Sequence, residues 1–269
     1  MPEAAVILPV YQGDKPEYLS QALESTYSQT YRDFDLIITL DGTIGPELSE
    51  VLSSVEDREG TIILSREERE GLAANLNHAV EYVLDRPYRY IARMDSDDIM
   101  EENRLKLQLE YLEQNPGVDA VGSGATLIDQ SGIPMGTRKA VAEVGFKDLL
   151  WSSPMIHPSM VFRREFFERT GLYDPGLLKS QDYDLWFRAI GNGRILRNLP
   201  MPLIRFRISG DLIKRRKEEQ GYNLRIKRKY LRGIRLIISV LPNLLIVLMP
   251  SRLLGYLVRK GMYRQKKDS

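Results

Sequence analysis

Apolar and polar positions along the first half of the chain follow two alternating periods, which predict short strands separated by helices. Continuous apolar runs predict four buried strands, at AAVILPV (4–10), FDLIITL (34–40), GTIILS (60–65) and YRYIARM (88–94). Helical spacing predicts helices around 18–29, over GLAANLNHAVEYVL (71–84) and from about 103 to 114. This order predicts an α/β fold in which helices cover both faces of a mostly parallel sheet.

The pattern becomes shorter and more mixed beyond Pro116. Strands are predicted at AVGSGATLID (120–129), SMVFRR (159–164) and LIRFRI (203–208), and helices at FKDLLWS (146–152) and QDYDLWFRAIG (181–191). Residues 211–269 predict a helical appendage that is broken at Pro242 and Pro250.

Polar segments follow three of the predicted strands at their carboxyl ends. PVYQ (9–12) follows the first strand, LDGT (40–43) the second and MDSDD (94–98) the fourth. In open parallel sheets, ligands bind beyond the carboxyl ends of the strands. We therefore expect a binding site at this edge.

The segment MDSDD brings three carboxylates, Asp95, Asp97 and Asp98, into four consecutive residues. Hard divalent cations such as Mg²⁺ and Mn²⁺ prefer oxygen ligands, and alternation along an extended chain sends the first two carboxylates to the same side. One of them can hold a metal while the other reaches a ribose hydroxyl. The alternative is a helix start, in which Asp97 or Asp98 caps the helix that follows, and we expect that role for Asp98.

Charge divides the chain of 269 residues into an acidic body and a basic tail. From Lys214 onward there are 16 Lys or Arg against three acids, a net charge of +13, which leaves −12 for residues 1–213 and +1 overall. Cysteine is absent, which excludes disulfides and thiolate metal sites and fits a reducing cytosol. The segment MPEAAVILPV lacks the features of a signal peptide, so we expect a cytoplasmic protein.

The basic tail contains 16 uncharged residues between Arg235 and Arg252, interrupted by prolines. A membrane-spanning helix needs about 20 apolar residues, so we expect this segment to lie in the interface of an anionic cytoplasmic leaflet, on the inner face of the plasma membrane. The alternative is an amphipathic helix that covers the core or forms a dimer contact. Nucleic-acid binding is not expected, because so many Leu, Ile and Val residues are unusual on a phosphate-tracking surface.

Six short motifs follow one another along the chain and together carry more information about function than any of them alone: ILPVYQ, LDG, GLAANLN, RMDSDD, HPSMVFRR and QDYDLWFRA. Together these motifs resemble the inverting, nucleotide-sugar-dependent glycosyltransferases of family 2, which have the GT-A fold. The similarity is closest to bacterial enzymes that build exopolysaccharide, O-antigen or capsule, and it covers about residues 4–213. The resemblance implies a GT-A catalytic domain at 1–213, with a Rossmann-like, mostly parallel sheet, followed by a basic amphipathic helical tail at 214–269.

The resemblance also implies a UDP-sugar donor site. In the family, the carboxylate at the position of Asp41 accepts a hydrogen bond from uracil, and the loop that lines the same pocket matches Pro9, Val10 and Tyr11. The alternative for Asp41 and Gly42 is a plain turn. Arg93 is expected to help hold the nucleotide, or else to form a structural ion pair.

In the same family, Asp95 would bind the ribose or share the metal, and Asp97 would bind the Mn²⁺ or Mg²⁺ that bridges the diphosphate. A histidine near the end of the catalytic domain often completes that metal site. Here Ser209 stands at its position, so the third protein ligand is expected to be missing or replaced by water.

An inverting transfer needs a general base for the acceptor hydroxyl. The family supplies this base from an acidic pair that opens a helix, and here the pair is Gln181-Asp182, which leaves Asp182 as the base. The alternative for Asp182 is an acid that stabilises the helix N-terminus. His157 matches a family position on the acceptor side, although a loop histidine with a structural hydrogen bond is nearly as common. Arg69 stands where an asparagine is usual, so no contact is assigned to it.

These observations predict an inverting, metal-dependent hexosyltransferase that uses a UDP-sugar donor and a saccharide acceptor, which is expected to be lipid-linked. The first alternative is a nucleotidyltransferase, which is disfavoured because no Gly-rich, Lys-bearing phosphate loop follows the first strand. The second is a non-catalytic membrane scaffold in which Gln181 and Ser209 mark a decayed site.

Overall fold

The computed structural model describes residues 2–208 and 212–254. Its strands are β1 (Ala4–Tyr11), β2 (Phe34–Asp41), β3 (Thr61–Ser65), β4 (Tyr90–Arg93), β5 (Ile99–Met100), β6 (Ala120–Ile128), β7 (Pro134–Arg138), β8 (Glu143–Val144), β9 (Val161–Arg163) and β10 (Leu196–Arg207). Its helices are α1 (Pro16–Tyr27), α2 (Pro46–Ser53), α3 (Leu72–Leu84), α4 (Arg104–Gln114), α5 (Phe146–Leu149), α6 (Arg164–Thr170), α7 (Gln181–Gly191), α8 (Leu212–Tyr230) and α9 (Gly233–Leu248).

All of these strands belong to one mixed sheet with the order β3-β2-β1-β4-β9-β6-β10-β5, with β7 beside β6 and β8 beside β10. The strands β3, β2, β1 and β4 run parallel, as does the pair of β6 and β10, whereas β9 is antiparallel to both of its neighbours. The predicted α/β fold with a helical C-terminal appendage is confirmed.

Alternation along β1 explains why the sheet is covered on both faces. Residues 4–10 are all buried. Ala5 and Ile7 pack in the layer that contains α3, whereas Val6 and Leu8 pack in the layer that contains α1. A fully buried aliphatic side chain contributes about 1.5–3 kcal/mol, so the continuous apolar run of this strand stabilises two layers at once.

Several of the predicted element boundaries are wrong. The strand predicted at 203–208 is the end of the longer β10, which begins at Leu196, and the helix predicted at 146–152 ends at Leu149. The strand predicted at 159–164 is shortened to β9, because helix α6 begins at Arg164. Pro242 does not break the tail, since α9 continues through it, and the interruption falls instead between Tyr230 and Gly233, where Gly233 has a φ of 57°. A buried ammonium group supports the helix beside the proline, because Lys227 Nζ donates hydrogen bonds to Ser239 O (2.7 Å) and Asn243 Oδ1 (2.6 Å). The expected break at Pro250 is confirmed, because α9 ends at Leu248 and helical residues resume at 251–254.

Helix α8 is fastened to the body of the protein through a buried carboxylate on α7. Asp184 accepts hydrogen bonds from Arg188 Nε, Lys229 Nζ and the Tyr230 hydroxyl, each at 2.9 Å. Burial alone would raise the pKa of Asp184, but these hydrogen bonds together lower it. Ile226, in the same helix, is buried in the core layer of α3. The second half of α8 therefore packs as part of the body. None of the helices in the two described ranges is long and apolar enough to cross a membrane.

We expect Asp184→Asn to lower the free energy of unfolding by at least about 2 kcal/mol, because hydrogen bonds to a buried charged group are worth about 1.5–3 kcal/mol. The lowered pKa means that this stabilisation is present above about pH 4, the ordinary pKa of an aspartate, and is lost as the pH falls through the lowered value. Urea unfolding at pH 7 and pH 3 checks this. Equal stability of the two proteins at pH 7 would contradict it.

Candidate active site

The carboxyl ends of β1, β2 and β4 meet at one edge of the sheet. Tyr11 and Asp41 are paired in register at the ends of β1 and β2, and the acidic segment 95–98 follows β4 directly. The three polar segments expected to form a site are therefore neighbours.

Asp95, Asp97 and Asp98 form an acidic cluster in which one carboxylate oxygen from each lies within 4.8 Å of the others. Asp98 does not cap a helix as expected. It is buried, and its Oδ1 accepts the backbone N–H of Arg207 at 2.8 Å, while Asn103 is the residue that precedes α4. The sequence could not show this, because Arg207 lies 109 residues further along the chain.

The electrostatics of the acidic cluster favour a bound cation. Burial, followed by the charge of Asp95, raises the pKa of Asp97 to about 6, and burial raises the pKa of Asp98 well above its ordinary value. Asp98 Oδ2 is buried and has no hydrogen-bond partner among the described residues. Three crowded carboxylates with an unsatisfied oxygen are the ligand chemistry of a hard divalent cation, so these residues fit the expected Mn²⁺ or Mg²⁺. Ser209, the position of the possible third ligand, lies outside the described residues.

Asp14, which no motif indicated, is a fourth carboxylate beside the acidic cluster. Its Oδ2 accepts the Tyr11 backbone N–H at 3.0 Å. Its pKa is raised to about 6, mainly by burial and also by the charges of Asp97 and Asp95, while hydrogen bonds from Tyr11 and Ser96 act in the opposite direction. Its position in the loop that follows β1, three residues after Tyr11, could have suggested a role at this edge of the sheet.

Arg93 is fully buried, with its guanidinium paired to Asp95 and donating to the carbonyl of Met94. Arg104, also fully buried, donates to the carbonyl of Arg93 at 2.8 Å. These contacts favour the structural ion pair for Arg93 and give it the role of orienting Asp95. A direct contact between Arg93 and a nucleotide stays a prediction.

On the expected nucleotide side, Asp41 is buried and already fixes the start of α3. Its Oδ1 accepts the backbone N–H groups of Glu70 (2.8 Å) and Gly71 (3.1 Å), and its Oδ2 shares the Gly71 N–H at 3.1 Å. Arg69 Nε lies 3.7 Å from Asp41 Oδ2, and the Arg69 guanidinium lies 5.0 Å from the centre of the Tyr11 ring. The carboxylate therefore keeps capacity for one more donor. Tyr11 presents exposed surface beside it.

Pro9 and Val10, the other residues expected to line the nucleotide pocket, are both buried. Their side chains can therefore affect a bound ligand only by holding the end of β1 in place.

Asp182 lies in the first turn of α7, after Ser180, which has a left-handed φ of 60°. Such a conformation is strained for a residue other than glycine, and it occurs at functional sites where the surroundings impose it. Asp182 is half-buried, its Oδ2 accepts the Ser153 hydroxyl at 3.2 Å, and burial raises its pKa. A carboxylate with a raised pKa is a stronger base than an exposed one.

Tyr173 is a buried residue that lies within electrostatic reach of both the acidic cluster and Asp182. Burial raises the pKa of Tyr173, and the charges of both Asp182 and Asp95 act in the same direction. The Tyr173 hydroxyl lies 2.8 Å from Nε2 of His157, whose ring also packs against Trp186. Burial lowers the pKa of His157 well below its ordinary value, so the imidazole is neutral. These contacts fit the structural alternative for His157, and its contact with an acceptor stays a prediction.

The first half of α8 reaches this site, which no motif indicated. The charge of Arg215 acts on the pKa of Asp97, and the charge of Glu219 acts on that of Asp182. The sequence motifs end before α8, so only the fold could bring these side chains to the carboxylates.

Comparison with known proteins agrees with this geometry. Residues 5–171 match the family model described as glycosyl transferase family 2. The chain belongs to this family. The fold and the family expected from the motifs are confirmed, and the protein is a glycosyltransferase.

Two relatives align over almost the whole glycosyltransferase. The amylovoran biosynthesis glycosyltransferase AmsE of Erwinia amylovora is 28% identical over 264 residues, which cover 95% of this chain and 98% of AmsE. The UDP-Gal:alpha-D-GlcNAc-diphosphoundecaprenol beta-1,3-galactosyltransferase of Escherichia coli is 26% identical over 275 residues, which cover 98% of each chain. Both alignments are long enough to include most of the tail.

Among solved structures, the mannosyltransferase PcManGT of Pyrobaculum calidifontis, in complex with GDP-Man and Mn²⁺, matches with a TM-score of 0.65 at 15% identity. The match covers 93% of this chain and 71% of PcManGT. At this identity the likeness concerns the fold.

Proposed function

We propose that this glycosyltransferase transfers a sugar, with inversion, from a UDP-sugar to a lipid-linked saccharide acceptor in bacterial surface polysaccharide synthesis. One observation carries the proposal: three carboxylates cluster at the carboxyl end of β4, and the charges of both this cluster and Asp182 reach the same residue, Tyr173. A donor held at the acidic cluster would thus present its sugar toward a base.

Asp182 would act as the general base. Its carboxylate takes the proton of the acceptor hydroxyl as that oxygen attacks the anomeric carbon and the bond to the diphosphate breaks. The Ser153 hydroxyl holds Oδ2 in place, which leaves Oδ1 toward the acceptor. The left-handed Ser180 fixes the start of the helix that carries the base.

Asp95 and Asp97, together with Asp98, would hold Mn²⁺ or Mg²⁺, which when bound neutralises the charge that develops on the leaving diphosphate. Arg93 orients Asp95, and Arg207 orients the segment by donating from Nε to the Asp97 carbonyl at 2.8 Å. The chemistry of the donor set and the Mn²⁺ named with PcManGT support this assignment.

Asp41 and Tyr11 would bind the base of the nucleotide. Uracil N3–H is a donor, and Asp41 has acceptor capacity left. The E. coli relative is named for UDP-Gal, which supports a UDP-sugar, whereas the structural neighbour PcManGT is in complex with GDP-Man.

Calorimetry with UDP and GDP, each with and without Mn²⁺, tests the donor assignment. We expect UDP to bind at least about tenfold more tightly with Mn²⁺ than without, and more tightly than GDP. Preference for GDP would overturn the UDP assignment. Binding of neither nucleotide would favour the non-catalytic scaffold, and incorporation of nucleotide into a product would favour the nucleotidyltransferase.

A lipid-linked acceptor is supported by the inverted polarity of α9. Its buried residues are polar, Ser239 and Asn243, and they contact Lys227 and Gln220 of α8. Its exposed residues are large and apolar: Ile234, Ile237, Ile238, Leu241, Leu244, Leu245, Val247 and Leu248. A contiguous apolar face of this kind is rare on a surface that meets only water.

The surroundings of this apolar face favour an anionic membrane surface as its partner. Exposed arginines occur in α9 and in the segments that flank it in the chain, namely Arg228, Arg232, Arg235 and Arg252, and basic residues near an anionic leaflet contribute about 1 kcal/mol each. We therefore assign the protein to the inner face of the plasma membrane, bound through α9. The polyprenyl diphosphate in the name of the E. coli relative supports the same assignment.

We expect the double variant Leu245→Glu, Leu248→Glu to bind vesicles of anionic phospholipid at least about 100-fold more weakly, because each buried leucine contributes about 1.5–3 kcal/mol. Both side chains are mostly exposed, at 62% and 78%, so the fold should be retained. Ile133→Glu, at an equally exposed apolar residue in the turn between β6 and β7, is the matched control. Vesicle flotation measures the change, and unchanged binding of the double variant would remove α9 from the membrane contact.

A further inference from the structure

One of the two tryptophans in the chain is exposed, and it lies close to the proposed base. Trp186 is fully buried in the core, whereas Trp151 is 57% exposed. We propose that the indole of Trp151 stacks against a sugar ring of the acceptor saccharide. This inference rests on the proposed function, because it names a contact for the substrate whose hydroxyl Asp182 would deprotonate.

Both ends of the segment that carries Trp151 are held against the first turn of α7. At one end, the Tyr183 hydroxyl donates to the carbonyl of Leu149. At the other end, the Ser153 hydroxyl donates to Asp182 Oδ2 at 3.2 Å. Trp151 stands midway, two residues from each of these contacts. Because two residues span at most about 7 Å of extended chain, the backbone of Trp151 is fixed close to the carboxylate of the base.

Hydrogen bonds from two further elements hold the same segment. Lys227 Nζ of α8 donates to the Leu150 carbonyl at 2.9 Å, and Arg138 Nη2 of β7 donates to the Ser153 carbonyl at 3.2 Å. Trp151 thus projects from a backbone that is fixed on both sides of it. A side chain presented in this way loses little freedom when a ligand covers it, which favours binding.

The indole of Trp151 combines an apolar ring with one N–H donor. In the parts of the chain that the structure describes, this indole makes no hydrogen bond and no ring contact. By contrast, the ring of Trp186 packs against Phe162 and Phe166. One face of a pyranose ring consists of C–H groups, and its hydroxyls lie around the edge. An indole can therefore cover that face while its N–H donates to a hydroxyl.

The segment around Trp151 contacts both the proposed base and the C-terminal helices. Lys227, which binds the carbonyl directly before Trp151, also donates to Ser239 O (2.7 Å) and Asn243 Oδ1 (2.6 Å) on the inner face of α9. The opposite face of α9 is the apolar one assigned to the membrane. The saccharide of a lipid-linked acceptor has to extend from the membrane to Asp182, and this segment joins the two places.

The alternative partner for Trp151 is the headgroup region of the membrane, where tryptophan is enriched. The hydrogen bond between Ser153 and Asp182 favours the saccharide, because it brings the segment to the base. A contact with headgroups would need no such link.

Acceptor kinetics test the assignment, with a panel of octyl glycosides of hexoses and N-acetylhexosamines as soluble acceptors. We expect Trp151→Ala to raise the KM for the best acceptor of the panel about 10- to 100-fold, the range for loss of a tryptophan from a binding surface. The donor KM should stay unchanged. Trp151→Phe should restore part of the loss, because it keeps a flat aromatic ring. Ile133→Ala, at an apolar residue that is 60% exposed, is the matched control.

A fluorescence measurement separates this inference from the proposed function. Acrylamide, a neutral quencher of exposed indoles, reports mainly on Trp151, because Trp186 is fully buried. With UDP and Mn²⁺ present, we expect the octyl glycoside to remove most of the quenching. Protection without any transfer would reject the proposed function and keep the saccharide contact. Transfer with an unchanged acceptor KM in Trp151→Ala would reject the contact and keep the function.

Other outcomes would also overturn the saccharide contact. Protection by vesicles of anionic phospholipid, but by no glycoside, would assign Trp151 to the membrane headgroups. A higher donor KM in Trp151→Ala would move the residue to the donor site. A lower melting temperature, with an equal loss of donor and acceptor binding, would make it structural.

Discussion

Asp182→Asn is expected to lower the turnover number by about 10²- to 10⁴-fold, the usual contribution of a general base. The amide keeps the shape of the side chain and can still contact the Ser153 hydroxyl, but it cannot accept the proton of the acceptor. Donor affinity should remain within about twofold, since the base contacts the acceptor and the donor lies at the acidic cluster. Steady-state kinetics and donor calorimetry on the same preparation measure both quantities.

The pH dependence gives this prediction a second readout. Burial raises the pKa of Asp182, so turnover of the unmodified protein should fall as the pH drops below that raised pKa, because the protonated acid cannot act as a base. The turnover of Asp182→Asn should not show this fall at low pH. Asp148→Asn, which removes the capping carboxylate of α5, is the control for a local loss of structure. A collapse of donor affinity with normal turnover at saturation would place Asp182 in the donor site.

Asp97→Asn is expected to abolish Mn²⁺-dependent binding of UDP. A neutral amide is a poor ligand for a hard cation, and its oxygen cannot replace the charge of the carboxylate. The fold should be retained, because the raised pKa of Asp97 shows that its ionised form is destabilised by burial and by Asp95. Calorimetry with and without Mn²⁺ measures the loss, and thermal unfolding checks the fold.

The matched control for this variant is Asp57→Asn, at an exposed aspartate in the segment between α2 and β3. It makes the same chemical change away from the site and should leave UDP binding unchanged. If Asp97→Asn kept its response to Mn²⁺, Asp97 would not be a metal ligand, and Asp95 and Asp98 would have to hold the cation without it.

The parallel half of the sheet could be predicted from the sequence because its signal is local. In β1, seven successive buried residues supply both core layers, so the apolar run alone indicates a buried strand. Pro242 shows where local rules fail. The helix continues through it, and Lys227, 12 residues before Ser239 in the chain, donates hydrogen bonds to the inner face of α9 on either side of the proline. That contact depends on how α8 and α9 pack, which a local pattern does not contain.

Some residues of the candidate site could likewise be predicted from the local sequence, and others could not. The acidic cluster, Asp41 and Asp182 each belong to a short motif at a strand or helix end, so their positions could be predicted. Asp98 was given the wrong role because its partner, the backbone N–H of Arg207, belongs to the distant β10. Arg215 and Glu219 of α8, whose charges act on the carboxylates, could not be predicted for a similar reason. Their segment is a basic run after the last motif, and nothing in the local sequence places it near the site.

The stereochemistry of the transferred sugar tests the central claim most directly. The unmodified protein would be incubated with Mn²⁺, a lipid diphosphate-linked saccharide and a panel of UDP-α-sugars, and the anomeric configuration of the new bond would be determined by NMR. An inverting transfer with Asp182 as the base predicts a β-linkage, formed only when Mn²⁺ or Mg²⁺ is present and strongly reduced in Asp182→Asn. An α-linked product would contradict the account, because retention cannot arise from a single displacement assisted by one base.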